Sequence, residues 1–399
     1  MRTTITIPDN TTISGEGCVI RAHDLLIVFE LGGSTGVTIK DLIIDGGNTC
    51  SRAVAVSAAE ANSLTLRDCE LRKFRASAFR SSLAVNGLIL VDNYVHNIGG
   101  EGVVTGFSPN FAYNCEIFGN RIETIGDNAG DWAVYISSAG EQLNIHHNII
   151  QDCIGGIKVS IGSGTQPDAT LDANEISTTE QAGIVVGRVT LATVSNNHVI
   201  APRTGINIEA TVRSVFIMGG EVTITTDEVG DSFGIILGDG AIDVTIDSVT
   251  LRRDNDTYGF GIAMREVDGV LIRNCHIAGF LYPIGQYSSQ YLTNVRIEDC
   301  RLVGAGSTGA GLSFKYVDGL YASRNIVADV QFFLNLEGTP HVSNTEIAEN
   351  VIKSYCQNWG RVTGAIAVYI HDNVSYAPIP DDWFDISGNV TLESNTVFP

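Results

Sequence analysis

The sequence predicts an all-β solenoid, a stack of about 14 coils in which each coil contributes short strands to three parallel sheets. Two observations predict it. Asparagine returns at one phase of the chain, as Asn93, Asn120, Asn148, Asn174 and Asn197 and later as Asn325, Asn350 and Asn389, with a period of roughly 23 to 28 residues through the first run. A strand of the form small-Ile-x-Val-x recurs once per period, as in AVYIS (133–137), GIKVS (156–160), GIVVG (183–187) and GIILG (234–238). Neither pattern has the 3.6-residue periodicity of a helix. Each repeat packs only on its neighbours, so residues 1–399 read as a single domain, with 1–23 as an N-terminal coil or cap and 354–399 as a C-terminal insertion and cap.

Each coil is justified from its asparagine. The strand before it alternates, as in Val37, Thr38, Ile39 and Lys40, with the β-branched residues turned inward. Asparagine itself is expected to make the bend, because its short amide tolerates left-handed backbone. Coils about 4.8 Å apart would then align the amides into a hydrogen-bonded ladder, where a column of carboxylates would repel itself. A short second strand follows, then a turn of variable length. The third strand opens on Gly or Ala, buries its second and fourth residues and turns its third and fifth outward.

Composition narrows the function. The chain carries 45 Asp and Glu against 24 Lys and Arg, a formal charge of −21, which repels nucleic-acid phosphates and anionic membranes. There is no run of 18 or more apolar residues to span a bilayer. The N-terminus enters strand pattern at once, as expected of a chain made without a leader or already trimmed. Eight cysteines include no C-x-x-C pair, which argues against zinc. Cys69, Cys275 and Cys300 fall in the asparagine slot, as small buried substitutes; Gly220 and Val249 occupy it elsewhere.

Coil length, ladder and three-strand phase resemble the right-handed parallel β-helix of the pectate lyase-like superfamily, from about residue 3 to 395. That superfamily holds polysaccharide lyases, glycoside hydrolases, epimerases and phage tailspikes. The resemblance implies a single-stranded right-handed parallel β-helix; it transfers no catalytic residue, because one fold hosts many chemistries.

The turns that swell flank the third strand, so the expected site is a groove along the outer face of that sheet. There Tyr135 and Lys158 fall on adjacent coils, with Glu101, Asp127, Asp131 and Trp132 just ahead of the same strands and Arg188 at the following edge. For elimination on a uronate polymer, Tyr135 and Lys158 would serve as base and acid and Arg188 as carboxylate clamp. Glu101, Asp127 and Asp131 would form a calcium cage; no other cofactor is expected. For hydrolysis, two carboxyls about 5 to 9.5 Å apart are needed, and the candidates are Glu101 with Asp131 and Glu209 with Asp239. Trp132, Arg188, Asp127, Arg265 and Asp239 are the expected substrate contacts. A second constellation, His146 beside Asp172 with His147 adjacent, lies on the strand before the ladder. The aromatic stretches 354–364 and 370–383 read as end capping or subunit contact.

The function expected from this resemblance is cleavage of an extended, acidic polysaccharide, outside the cell or on a virion. A trimeric tailspike depolymerase is one alternative, and a non-catalytic carbohydrate-binding or structural surface protein is another. The partner is thus a polysaccharide or oligosaccharide, with neither nucleic acid nor membrane involved; a homotrimer is the assembly that the tailspike alternative implies.

Overall fold

The computed structural model describes residues 4–397, apart from 101–104, 110–111, 138–141, 161–167, 210–211, 226–230, 255–258, 307–308, 338–341 and 377–383. Strands and turns make up the described chain, and no helix occurs among these residues. Among the described residues no helix is long and apolar enough to cross a membrane. Two compact units are distinguished, Met1–Ala201 and Pro202–Pro399.

In the first unit each coil repeats the same three strands, all paired in parallel. Val85–Val91, Ala112–Phe118, Leu143–His146 and Asp168–Asp172 form the sheet before the ladder. Tyr94–Ile98, Arg121–Ile125 and Ile149–Cys153 form the sheet after it. Arg52–Val56, Ser77–Ser81, Thr105–Pro109, Trp132–Ile136, Ile157–Ser160 and Ile184–Gly187 form the third. The core is the inward column of each sheet, including Val134, Ile136, Ile157 and Val159, all fully buried.

The ladder is present, and its chemistry is sharper than its spacing implied. Asn120 is buried. Its Nδ2 donates to Leu90 O at 2.8 Å, Phe118 O at 2.9 Å and Asn148 Oδ1 at 3.0 Å, while its Oδ1 accepts from the N and Nδ2 of Asn93, both at 3.0 Å. Asn148 and Asn174 repeat the pattern. The bend itself belongs to a different residue than expected: the positive φ sits one position earlier, at Asp92, Gly119, His147, Ala173 and Asn196. The ladder asparagine stays out of the left-handed region because its side chain must point inward, along the coil axis. Cys69 fills the slot by the same logic. Its thiol lies 3.2 Å from Arg67 O and 3.8 Å from Ile39 O, the two carbonyl positions an asparagine amide would reach. Burial raises its pKa to about 11, so it remains a thiol at neutral pH.

In the second unit the same three-sheet, all-parallel scheme holds, through Phe233–Leu237, Phe260–Met264 and Tyr282–Gln286 in the third sheet. The ladder there runs Cys300, Asn325, Asn350, Asn373 and Asn395, not to Asn389, which is exposed on the strand Phe384–Glu393. Residues 354–364 are strand in this structure. They lie inside one continuous strand, Val351–His371, so the next slots fall at Asn373 and Asn395. Trp359 in that segment is fully buried and meets Phe333 edge to face, which makes it core and not a sugar platform.

A charged network spans the second sheet of the first unit. Arg72 bridges Asp45 at 2.9 Å and Glu70 at 2.6 Å, His96 Nε2 lies 3.0 Å from Glu70, and the Tyr94 hydroxyl donates to Glu123 at 2.8 Å. Burial alone would raise Asp45 and Glu70. Hydrogen bonds from the Gly47 amide and Arg72 on Asp45, and from His96 and Arg72 on Glu70, outweigh it, so both carboxyls titrate below their ordinary values. Their contribution to stability is therefore complete above the unfolded-state carboxyl range and is lost as pH falls through the lowered values. Thermal melts from pH 7 to pH 3 are expected to show a falling midpoint, and Arg72→Met is expected to flatten that slope; an unchanged slope would contradict the assignment.

Candidate functional site

On the outer face of the third sheet of the first unit, strand register builds one outward column. Ala55 pairs with Arg80, Arg80 with Ser108, and Tyr135 with Lys158, which pairs on to Val185. The pairing of Phe107 with Val134 places Ser108 beside Tyr135. The column therefore reads Arg80, Ser108, Tyr135, Lys158 at about 4.8 Å per rung. Arg80, Tyr135 and Lys158 are partly exposed, and Ser108 is buried.

The predicted neighbours of this column divide by burial. Trp132 is only 6% exposed, so its ring faces are not offered to a sugar. The indole instead supports Lys158, whose Nζ lies 5.3 Å from the ring centroid, and it packs over Gly155, where any β-carbon would collide with it. That attraction acts on the ammonium, and it holds the charge over the column. Asp131 is 1% exposed, and its Oδ2 accepts from the backbone amides of Asp127 at 3.1 Å and Asn128 at 3.0 Å. It closes its own turn and is not placed as a catalytic carboxylate. Asp127 is exposed, and its Oδ1 accepts from Asn128 Nδ2 at 2.6 Å. Arg188 is exposed at the end of Ile184–Gly187, in left-handed backbone.

Glu101 lies outside the described residues, as do the swollen turns at 161–167, 226–230 and 255–258. Among the described residues no three His, Cys, Asp or Glu side chains converge as a metal site would require. Of the expected calcium ligands, Asp131 has its Oδ2 held by two amides and Glu101 lies outside the described residues. Asp131→Ala is expected to lower stability by about 2 kcal/mol through those orphaned amides and to leave any turnover within a few fold. An unchanged melting midpoint would assign the carboxylate another role.

In the second unit the predicted residues adopt a different relation. Arg265 Nε lies 3.7 Å from Asp239 Oδ1, and its guanidinium sits 5.5 Å from the centroid of the Tyr287 ring. Asp239 is thus a surface ion-pair partner, and Glu209 is half-buried after Thr204–Ile208. Beside them stands an aromatic row absent from the sequence expectation. Phe233 stacks on Phe260 at 6.2 Å, Phe260 on Tyr282 at 4.9 Å, and Tyr287 meets Phe233 edge-on at 4.8 Å while its hydroxyl donates to Asp231. The signal was present: an aromatic residue precedes the third strand's apolar pattern in three coils, as SFGIIL, GFGIAM and LYPIGQ.

The second constellation is also rearranged. His146 Nε2 lies 3.3 Å from Glu116, its Nδ1 lies 2.9 Å from His147, and its ring stacks on Phe118, whereas Asp172 accepts from Ser195 at 2.5 Å and Asn196 at 3.0 Å. Register puts His146 level with Asp172, but the side-chain partners lie on the opposite rungs.

Arg80 and Ser108 escaped the sequence reading because SAFRS and TGFSP carry Phe79 and Phe107 where Val or Ile was sought. Both phenylalanines are fully buried and keep the strand phase.

Solved structures of similar fold include the Streptococcus pneumoniae surface protein and adhesin PfbA, at 10% identity and TM-score 0.42 over 88% of this chain and 89% of that one. A mannuronic acid specific polysaccharide family 6 lyase from human gut microbiota matches at 10% identity and TM-score 0.42, over 96% and 92%. The A-module of an Azotobacter vinelandii mannuronan C-5 epimerase matches at 12% identity and TM-score 0.36, over 96% and 88%. No curated protein matches the sequence. Residues 27–199 match the family model described as the right handed beta helix region. By fold, this chain is a right-handed parallel β-helix protein.

Proposed function

We propose that the third-sheet face of the first unit cleaves an extended acidic polysaccharide by β-elimination. One observation carries this reading: Tyr135 and Lys158 stand on adjacent rungs at outward, partly exposed positions. Elimination takes the proton from C5 of a uronate and forms the C4=C5 double bond; the C4–O bond breaks and the leaving oxygen is protonated. Tyr135 carries the proton, and the Lys158 ammonium, held over Trp132, steadies the charge that develops on the carboxylate. Elimination is preferred to hydrolysis because Asp131 is buried and its Oδ2 is held by two amides of its own turn. Action outside the cell or on a virion, calcium dependence and trimeric assembly accompany this proposal as separate matters for assay.

A second reading draws on the second unit. The partly exposed Tyr282 and Tyr287 beside Arg265, backed by the buried Phe233 and Phe260, support a sugar-holding face, since aromatic planes pack well against the apolar faces of pyranose rings. Incubation with alginate, polygalacturonate, hyaluronan and dextran separates the two. Absorbance rising at about 235 nm reports an unsaturated uronate and elimination. Reducing ends without that absorbance would replace elimination by hydrolysis, and binding without cleavage would leave only the holding role.

A further inference from the structure

We infer that Arg80 forms a subsite for the carboxylate of a uronate residue two places along the polymer from Tyr135. The inference rests on the polysaccharide reading above and adds a residue and a charge requirement to it. Several arginines of the surface are paired: Arg72 with Asp45 and Glu70, Arg273 with Asp247, Arg324 with Asp299. Arg80 has no carboxylate partner among the described residues, in a chain of formal charge −21. Its Nε is sealed from solvent with no acceptor. A sealed donor left without an acceptor is costly, which marks the Arg80 guanidinium as a place completed by something else.

Chemistry and position name the occupant. Guanidinium is permanently charged and planar, and its fork of donors matches a carboxylate. Arg80 lies two rungs from Tyr135 in the same outward column, and the rung spacing is close to the length of one sugar repeat. The net charge of the protein repels an anionic polymer, so a local cation must hold it. Arg80 acts on binding and register, not on the reacting atoms.

The test compares the full chain with Arg80→Gln and Arg80→Lys, each checked for an unchanged circular dichroism spectrum and melting midpoint. On whichever uronate polymer of the panel is cleaved, Arg80→Gln is expected to raise KM about tenfold or more with kcat within about twofold, and Arg80→Lys to recover part of the loss. Affinity electrophoresis in gels containing polygalacturonate, alginate or dextran gives a readout independent of turnover: the retardation by uronate polymers should be lost in Arg80→Gln. Equal KM and equal retardation for wild type and Arg80→Gln would overturn the subsite while leaving the elimination reading intact. Retardation that depends on Arg80 without any cleavage would keep the subsite and overturn elimination. Recognition of dextran alone, or of no polymer, would overturn the subsite.

Discussion

Asn120→Ala is expected to destabilise the protein by about 3–5 kcal/mol, because the lost amide served five hydrogen-bonding groups that stay buried. Leu90 O, Phe118 O and Asn148 Oδ1 lose a donor, and the N and Nδ2 of Asn93 lose an acceptor. For a unit of this size that corresponds to a fall of about 10 °C or more in melting midpoint, measured by circular dichroism. Asn120→Cys is expected to cost less than half as much, since the Cys69 thiol already reaches the matching pair of carbonyls, Arg67 O and Ile39 O. Asn120→Asp should be worse than alanine. It keeps the acceptor for Asn93 but sets an ionised carboxylate against three oxygens in the core. A cysteine variant as damaged as the alanine variant would refute the equivalence of the two residues in the slot.

Tyr135→Phe and Lys158→Ala are each expected to reduce turnover of the cleaved polymer by about 10²–10⁴-fold, while leaving the melting midpoint nearly unchanged. Both side chains face outward, so little of the core depends on them. If they act as one unit, the double variant should be little worse than either single one. Trp132→Leu should cause a smaller loss, because it removes the surface that positions the ammonium 5.3 Å away but spares the reacting groups. Full turnover in both single variants, measured at saturating substrate, would remove this column from the chemistry.

Much of the fold was legible because a solenoid turns register into arithmetic. Once Asn120 and Asn148 are recognised as equivalent, the residues between them acquire a phase, and Tyr135 falls level with Lys158 without any knowledge of loops. Arithmetic failed where the local signal was ambiguous. The aromatic segment 354–364 looked like an insertion, yet it continues a strand that buries Trp359. The left-handed residue was placed on asparagine, whose preference for that backbone is real, when the inward demand of the ladder moves the bend to Asp92 and Gly119.

The sequence by itself determined the parallel coil, the ladder and the outward column, since alternation and steric phase are properties of neighbouring residues. Only the tertiary structure decided which polar side chains on that surface are already committed. Asp131 Oδ2 accepts from the amides of its own turn, Asp239 lies beside Arg265 and Trp132 against Lys158, whereas Arg80 has a sealed donor and no acceptor. The reason is physical. Which way a strand residue points follows from the pleat, but whether its charge is satisfied depends on turns of variable length and on neighbouring coils, whose reach no periodic count contains.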